Sequence, residues 1–263
     1  FYPIVAPLGF RLLDDLPDTG LGAFLNEDSL VWYSLSKFLR ELPPPTDAPF
    51  GYDEGQLLQS VLENPKHHII TGQGGIGKTR LALELGKRAR SKGWLVFRIT
   101  PDARENDLEK LIASRKGAKL LLIVDYVETL QSALPFDRLI QMVKIANAEG
   151  ATVRVLATCR KTYFDNLTQI RSLRSELREG IQFAMSPSAD RKDGDWMRQW
   201  RLSIVAHILG CEITELDPDT YDIPVIALIV RELAGDDHGL RTRQDIREWL
   251  FQRLTASIRD TGP

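Results

Sequence analysis

Short apolar runs alternate with amphipathic stretches through the middle of the chain. An apolar run of roughly four to eight residues is typical of a buried strand, whereas apolar residues spaced three and four apart are typical of a helix. Five strands are predicted on this basis, at 69–70, 94–99, 119–125, 152–158 and 181–185. The helices predicted around them lie at 54–62, 78–85, 107–114, 135–148 and 171–180. This alternation indicates an α/β fold with a five-stranded, mainly parallel sheet flanked by helices.

The pattern near the end of the chain is helical throughout. From about residue 193 onward, three helices are predicted at 195–210, 224–234 and 244–258. Trp196, Trp200 and Ile204 recur every four positions, which indicates a stripe facing the core and not a platform for stacking bases. We therefore divide the chain into a linker or helical segment (1–49), an α/β domain (50–187) and a small all-helical domain (188–263).

A glycine-rich connection joins the first predicted strand to the helix that follows it. Its residues are Gly72, Gln73, Gly74, Gly75, Ile76, Gly77, Lys78, Thr79 and Arg80. The spacing G-x-x-x-x-G-K-T between a strand and a helix predicts a P-loop, because glycines let successive backbone N–H groups point at phosphate and the helix N-terminus adds its dipole. Lys78 would reach the β- and γ-phosphates, and Thr79 would give its hydroxyl to Mg²⁺.

Further candidate residues follow neighbouring strands at the edge where the P-loop lies. Asp125 ends an apolar run, as a Walker B acid does, and we expect it to hold Mg²⁺ together with Thr79. Arg160 follows the fourth strand, where it either contacts the γ-phosphate or pairs with a nearby acid on the surface. Glu128 is the candidate for orienting the attacking water, because Tyr126 stands directly after Asp125, where additional-strand ATPases usually carry an acid.

The identity of the nucleotide follows from motifs that the chain lacks. A GTP-specific switch protein would carry a guanine-reading N/T-K-x-D motif and a D-x-x-G motif after the Mg²⁺ strand. Here Asp125 is followed by Tyr126, Val127 and Glu128, and Arg191-Lys192-Asp193 does not match the guanine motif. The expected cofactors are therefore ATP or ADP with Mg²⁺.

Composition narrows the class of protein further. Lys and Arg number 34 against 36 Asp and Glu, a formal net charge of -2, so nucleic acid is not an expected partner. Cys159 and Cys211 are too few for a disulfide framework or a zinc cluster, which favours the cytosol.

No apolar run approaches the roughly 18 residues of a membrane span, and no secretory leader is visible. Because the chain begins at Phe1 and not at a methionine, we expect a piece of a longer protein.

These motifs together resemble the STAND class of P-loop ATPases, the relatives of NLR, NACHT and AP-ATPase proteins, and especially its bacterial multidomain members. The resemblance covers residues 50 to 258. Its pieces are Phe50-Gly51-Tyr52-Asp53-Glu54, the loop G-Q-G-G-I-G-K-T-R-L-A, V-D-Y-V-E-T at 124–129, V-R-V-L-A-T-C-R at 153–160, I-P-V-I-A-L at 223–228 and the helix at 241–254. Tyr52 stands where the first motif usually has arginine, and Asp222 stands where the lid motif usually has glycine.

The resemblance implies an ATP/ADP-controlled switch whose nucleotide is held between the sheet domain and a helical lid. A trigger, expected to be a protein, would release the lid, so that protomers self-associate and activate an effector in the same longer chain. Arg160 would sense the γ-phosphate, and Pro224 would pack near the adenine. Phe50 and Gly51, from the first motif, join the P-loop residues as implied nucleotide contacts. The residues implied in hydrolysis are Lys78, Asp125, Glu128 and Arg160.

Other classes of function stay open at this stage. An AAA-like motor or loader would need a basic or aromatic strip that tracks a nucleic-acid backbone, with steep salt dependence of binding. A small-molecule P-loop kinase would transfer a phosphoryl group without assembling. A degenerate domain with a purely structural role is a further alternative.

Overall fold

The computed structural model describes residues 9–13, 40, 54–115, 117–130, 134–166, 173, 175–182, 192–221, 223–234 and 244–248. The predicted nucleotide contacts Phe50 and Gly51 lie outside these ranges, as do most of the segment 1–49 and most of the predicted helix at 244–258. Contacts divide the chain into two compact units. The first comprises Phe1–Gly74 and Lys78–Met185, and the second comprises Gly75–Gly77 and Ser186–Pro263.

A six-stranded sheet forms the centre of the first unit. Its strands are β1 (Phe10–Leu12), β2 (His67–Gly72), β3 (Leu95–Ile99), β4 (Lys119–Val124), β5 (Thr152–Arg160) and β6 (Leu177–Gln182). The strand order is β1-β3-β4-β5-β2-β6, with β1 antiparallel to β3 and every other pair parallel. The prediction of an α/β fold with a mainly parallel sheet is confirmed, and the structure adds the short edge strand β1 to the five that were predicted.

Helices precede or connect the parallel strands of the first unit. They are α1 (Glu54–Glu63), α2 (Lys78–Ser91), α3 (Glu105–Ser114), α4 (Phe136–Ala148) and α5 (Lys161–Asn166). Helices α1 and α4 each bury one apolar face, formed by Leu57, Leu58, Val61 and Leu62 in α1 and by Phe136, Leu139, Ile140, Met142, Val143 and Ala146 in α4. In α2, Gly86 lets the helix approach the sheet, since a Cβ there would come 2.7 Å from the side chain of Ile123.

One boundary predicted for the first unit was wrong. A helix was expected over 171–180 and the fifth strand over 181–185, but the strand, β6, runs over Leu177–Gln182, so residues 177–180 are strand and not helix. Residues 171, 172, 174 and 183–185 lie outside the described residues. The charged residues of this segment favour a helix only locally, whereas β6 pairs in parallel with β2 from Leu177 opposite His67 onward. The N–H of His67 also donates to the carbonyl of Glu176 at 2.9 Å. Strand pairing, a long-range interaction, therefore outweighs the local pattern.

In its described residues the second unit is helical, as expected. Helices α6 (Lys192–Leu209) and α7 (Pro224–Ala234) lie where they were predicted, and residues 244–248 are helical too. Its core is a separate apolar cluster of Leu202, Val205, Ala206, Leu216, Tyr221, Ala227, Val230 and Ile246. Trp200, from the predicted stripe, is buried. Among the described helices of both units, none is long and apolar enough to cross a membrane.

Candidate nucleotide-binding site

The carboxyl ends of three adjacent parallel strands bring the predicted site residues together. Strand β5 lies between β2, which leads into the P-loop, and β4, which leads into Asp125. Gly72 at the end of β2 pairs with Arg160 at the end of β5, and Val124 at the end of β4 pairs with Ala157. Ligands of open parallel sheets bind at this edge. Lys78, Thr79, Asp125 and Arg160 therefore lie together at this edge of the sheet.

The P-loop has the backbone shape that phosphate binding requires. Gly75 and Gly77 have φ values of 75° and 99°, in the region that favours glycine, and Ile76 between them is 3% exposed. Helix α2 begins directly afterwards at Lys78. Gly75–Gly77 group with the second unit, within which the N–H of Val225 donates to the carbonyl of Gly75 at 3.1 Å. Pro224, the predicted adenine neighbour, is the first residue of α7.

Asp125 is the centre of a network of side chains. The hydroxyl of Thr79 donates to its Oδ1 at 2.6 Å, and the hydroxyl of Thr158 donates to the same oxygen at 3.0 Å. The guanidinium of Arg98 donates to Oδ2 at 3.0 Å. A carboxylate and a hydroxyl that already touch are the hard oxygen donors that Mg²⁺ prefers. The donor set of Thr79 and Asp125 thus fits Mg²⁺.

Lys78 is buried, with 2% of its surface exposed. Its ammonium donates to the backbone carbonyl of Gln73 at 2.7 Å, so the side chain folds over its own loop. Burial lowers the pKa of Lys78, and the carboxylates of Glu128 and Asp125 oppose that lowering. A cation held in this way above a P-loop can contact phosphate oxygens without a large rearrangement of the backbone.

Arg160 and Glu128 form an ion pair. The distance between Arg160 Nε and Glu128 Oε1 is 3.6 Å, with the arginine side chain 62% exposed and the glutamate side chain 13% exposed. Within the described residues, neither carboxylate oxygen of Glu128 accepts a hydrogen bond. The sequence left open whether Arg160 pairs with a nearby acid. It does so, and its partner Glu128 is itself a predicted site residue. Arg160 is largely exposed, whereas both carboxylate oxygens of Glu128 are buried, so an anion that drew Arg160 away would leave Glu128 without this ion-pair partner.

Tyr126 joins these groups in a way that the sequence did not predict. Its backbone is left-handed, with a φ of 57°, and its N–H donates to Thr158 Oγ1 at 2.8 Å. Its ring centroid lies 5.1 Å from Lys78 Nζ and 5.6 Å from Arg160 Cζ. Burial, followed by the neighbouring Asp125, raises the pKa of the phenol, which therefore stays neutral.

Arg98 and Thr158 are the other site residues that sequence reasoning missed. A signal for Arg98 was available, since it is the charged residue in the otherwise apolar strand L-V-F-R-I. Thr158 is fully buried near the end of β5, where a hydroxyl needs a partner. Arg80, predicted as a nucleotide contact, lies in the first turn of α2, and burial lowers its pKa.

A sequence profile of the family described as novel STAND NTPase 3 matches residues 54–185, half of the chain. The chain belongs to this family. The resemblance to STAND proteins is thereby confirmed, and the protein is a nucleotide-binding protein of the P-loop NTPase class. The match covers the P-loop, Asp125, Glu128 and Arg160. No curated protein matches the chain.

One of the similar solved structures, with a TM-score above 0.5, shows the same fold at low identity. The Aeropyrum pernix ORC1 protein in complex with DNA is 17% identical with a TM-score of 0.52, over 97% of this chain and 73% of ORC1. AMPPCP-bound DnaA from Aquifex aeolicus is 20% identical with a TM-score of 0.48, over 76% of this chain and 65% of DnaA. Hsp104 of S. cerevisiae is 14% identical with a TM-score of 0.44, over 69% of this chain. The chain spans less than two thirds of DnaA and 29% of Hsp104.

Proposed function

We propose that this chain is the nucleotide-controlled switch of a STAND ATPase, which binds ADP in its resting state and ATP with Mg²⁺ in its active state. ATP would drive self-association and the activation of an effector attached in a longer chain, in bacterial defence or signalling in the cytoplasm. Membership of the STAND family and the P-loop geometry support nucleotide binding. The trigger would be a protein that acts on further domains of that longer chain.

The observation that carries the switch role is the arrangement after β4. Tyr126 replaces the acid that would orient water, and Glu128, the remaining candidate, is paired with Arg160. A site of this kind retains nucleotide more readily than it turns it over, since a water-orienting carboxylate is held by a cation. If Arg160 moved to the γ-phosphate, Glu128 would be released, so nucleotide sensing and slow hydrolysis would be linked.

Each residue then has one role in binding. The backbone N–H groups of the loop and of the α2 N-terminus hold the β-phosphate, and Lys78 neutralises the β- and γ-phosphates. Thr79 and Asp125 would hold Mg²⁺, which supplies charge neutralisation of the phosphates when bound. Arg160 contacts the γ-phosphate with a charge-assisted hydrogen bond and thereby distinguishes ATP from ADP.

The test is to purify the 263-residue chain, denature it and identify any nucleotide that co-purifies by chromatography. The mass in solution is then compared in ADP and in ATP with Mg²⁺. We expect retained ADP, a monomer in ADP and a larger species in ATP. Lys78→Ala should remove both the nucleotide and the change in mass, whereas Lys144→Ala, which removes a surface ion pair with Glu176, should change neither.

A motor or loader remains the second candidate because the fold match to ORC1 covers 97% of this chain, although the fold alone does not assign an activity. Rapid ATP turnover by a protein that stays monomeric, stimulated by DNA at low salt, would favour that function. Rapid phosphoryl transfer to a small molecule would instead favour a kinase. Either result would contradict the switch.

A further inference from the structure

The side chain of Tyr126 contacts two predicted triphosphate-reading residues. Its ring lies within cation–π distance of Lys78 and Arg160, at 5.1 Å and 5.6 Å. A γ-phosphate would use the same two side chains. One aromatic side chain therefore shares its partners with the terminal phosphate of ATP.

The backbone holds the ring in this place. Within the described part of the chain, Tyr126 is the only non-glycine residue with a positive φ, a conformation that is unusual for an aromatic residue. Its N–H donates to Thr158 Oγ1 at 2.8 Å, and its carbonyl accepts hydrogen bonds from the N–H and the hydroxyl of Thr129, each at 2.8 Å. Strained backbone persists where neighbours overdetermine it, and it concentrates at functional sites.

Packing alone does not account for this conformation. Tyr126 is absent from the apolar core cluster that its neighbour Val127 joins, and its described ring contacts are the cations Lys78 and Arg160. The π face of the ring instead offers the two cations a weak substitute for an anion.

We propose that Tyr126 is the residue that sets the preference of this site for ADP over ATP, by competing with the γ-phosphate for Arg160. The inference rests on the proposed nucleotide switch. Both nucleotides use Lys78 through the β-phosphate, whereas only ATP has the phosphate that Arg160 would contact, so ADP leaves the contact between the ring and Arg160 in place. ATP requires Arg160 to give up the ring, and the loss of that contact subtracts from its binding free energy.

The test compares Tyr126→Asn with Tyr126→Phe by isothermal titration with ADP and with a non-hydrolysable ATP analogue, each with Mg²⁺. Asparagine removes the ring and tolerates the left-handed backbone. We expect Tyr126→Asn to raise the affinity for the ATP analogue relative to ADP by roughly 2- to 5-fold, the value of one cation–π contact with a largely exposed cation. Tyr126→Phe keeps the ring, and its affinity ratio should stay within about 1.5-fold of the original protein.

The ratio of the two affinities is the decisive quantity, because general damage to the site lowers both. Thermal unfolding without nucleotide shows whether each variant is folded. In an Arg160→Ala background, where one cation–π partner is gone, Tyr126→Asn should change the ratio less. An unchanged or lowered ratio in Tyr126→Asn would overturn the inference. If the original protein binds neither nucleotide, the proposed function fails first, and the role of Tyr126 fails with it.

Discussion

The P-loop after β2 and the turn after β4 lie at the same edge of the sheet and offer phosphate different kinds of contact. The P-loop after β2 presents backbone, with glycine at its positive-φ positions 75 and 77. The turn after β4, which contains Asp125, Tyr126 and Glu128, presents side chains and places a tyrosine at positive φ. In the P-loop, glycine adopts the positive φ without strain. In the turn after β4, the positive φ of Tyr126 is held by hydrogen bonds, including the one from its N–H to Thr158 of the adjacent strand.

The P-loop and the turn after β4 are therefore stabilised by different interactions. The P-loop shape is local, so it depends on the glycines and on the start of α2. The turn after β4 depends on Thr158 of the adjacent strand, which accepts from the N–H of Tyr126 and donates to Asp125. Variants that remove one kind of support should therefore have distinct effects on stability and on nucleotide binding.

Removal of Thr158 should have the largest effect on stability. Thr158→Val keeps the shape but leaves the N–H of Tyr126 and one oxygen of Asp125 short of a partner, which should lower the free energy of unfolding by about 2–4 kcal/mol. Urea denaturation measures this change. Thr152→Val, at the half-buried start of the same strand, is the matched control and should cost far less. Equal losses in the two variants would show that the turn does not depend on Thr158.

A variant at Arg98 tests how the second carboxylate oxygen of Asp125, Oδ2, is held. Arg98→Met removes the donor to Oδ2, so the carboxylate that holds Mg²⁺ loses its orientation. We expect the Mg²⁺ concentration needed for tight ATP binding to rise about tenfold, as is usual when an outer-shell partner of a metal ligand is lost. Arg138→Met, which breaks a surface ion pair with Glu105, is the control and should leave that concentration unchanged. An unchanged Mg²⁺ requirement in Arg98→Met would mean that Thr79 and Thr158 suffice to orient Asp125.

The local nature of the P-loop can be tested by paired glycine variants. Gly77 has a φ of 99°, whereas the φ of Gly74 is not positive. A Cβ at either position would meet nothing within 4 Å. Gly77→Ala should therefore cost about 1 kcal/mol of unfolding free energy through backbone strain alone, and Gly74→Ala should cost less. Chemical denaturation of the two variants gives the comparison. A larger cost for Gly74→Ala would contradict the assigned loop conformation.

The sequence predicted the parts of the site that are encoded locally. The P-loop, Lys78, Thr79 and Asp125 follow from a motif and from an apolar run with an acid at its end. The order of the parallel strands followed from periodicity, whereas β1 and α5 were not predicted, and β6 was misplaced because its pairing with β2 is long-range. The predicted contacts Phe50 and Gly51 lie outside the described residues and stay predictions.

The sequence could not predict how side chains from different strands share one carboxylate. Tyr126 was visible as a replacement for an acid, but its position against Lys78 and Arg160 depends on a backbone conformation that Thr158 imposes from another strand. The partnership of Arg160 with Glu128 likewise requires the strand order β4-β5-β2. Both relations are tertiary, so neither periodicity nor motif spacing contains them.

The double role of the Thr158 hydroxyl has an evolutionary consequence. One oxygen atom serves the backbone at position 126 and the carboxylate of Asp125, so neither contact can be lost without disturbing the other. Glycine adopts a left-handed backbone without strain, so lineages with glycine at position 126 would depend less on a hydroxyl at position 158. In an alignment of homologues, positions 126 and 158 should therefore change together, although 32 residues separate them in the chain.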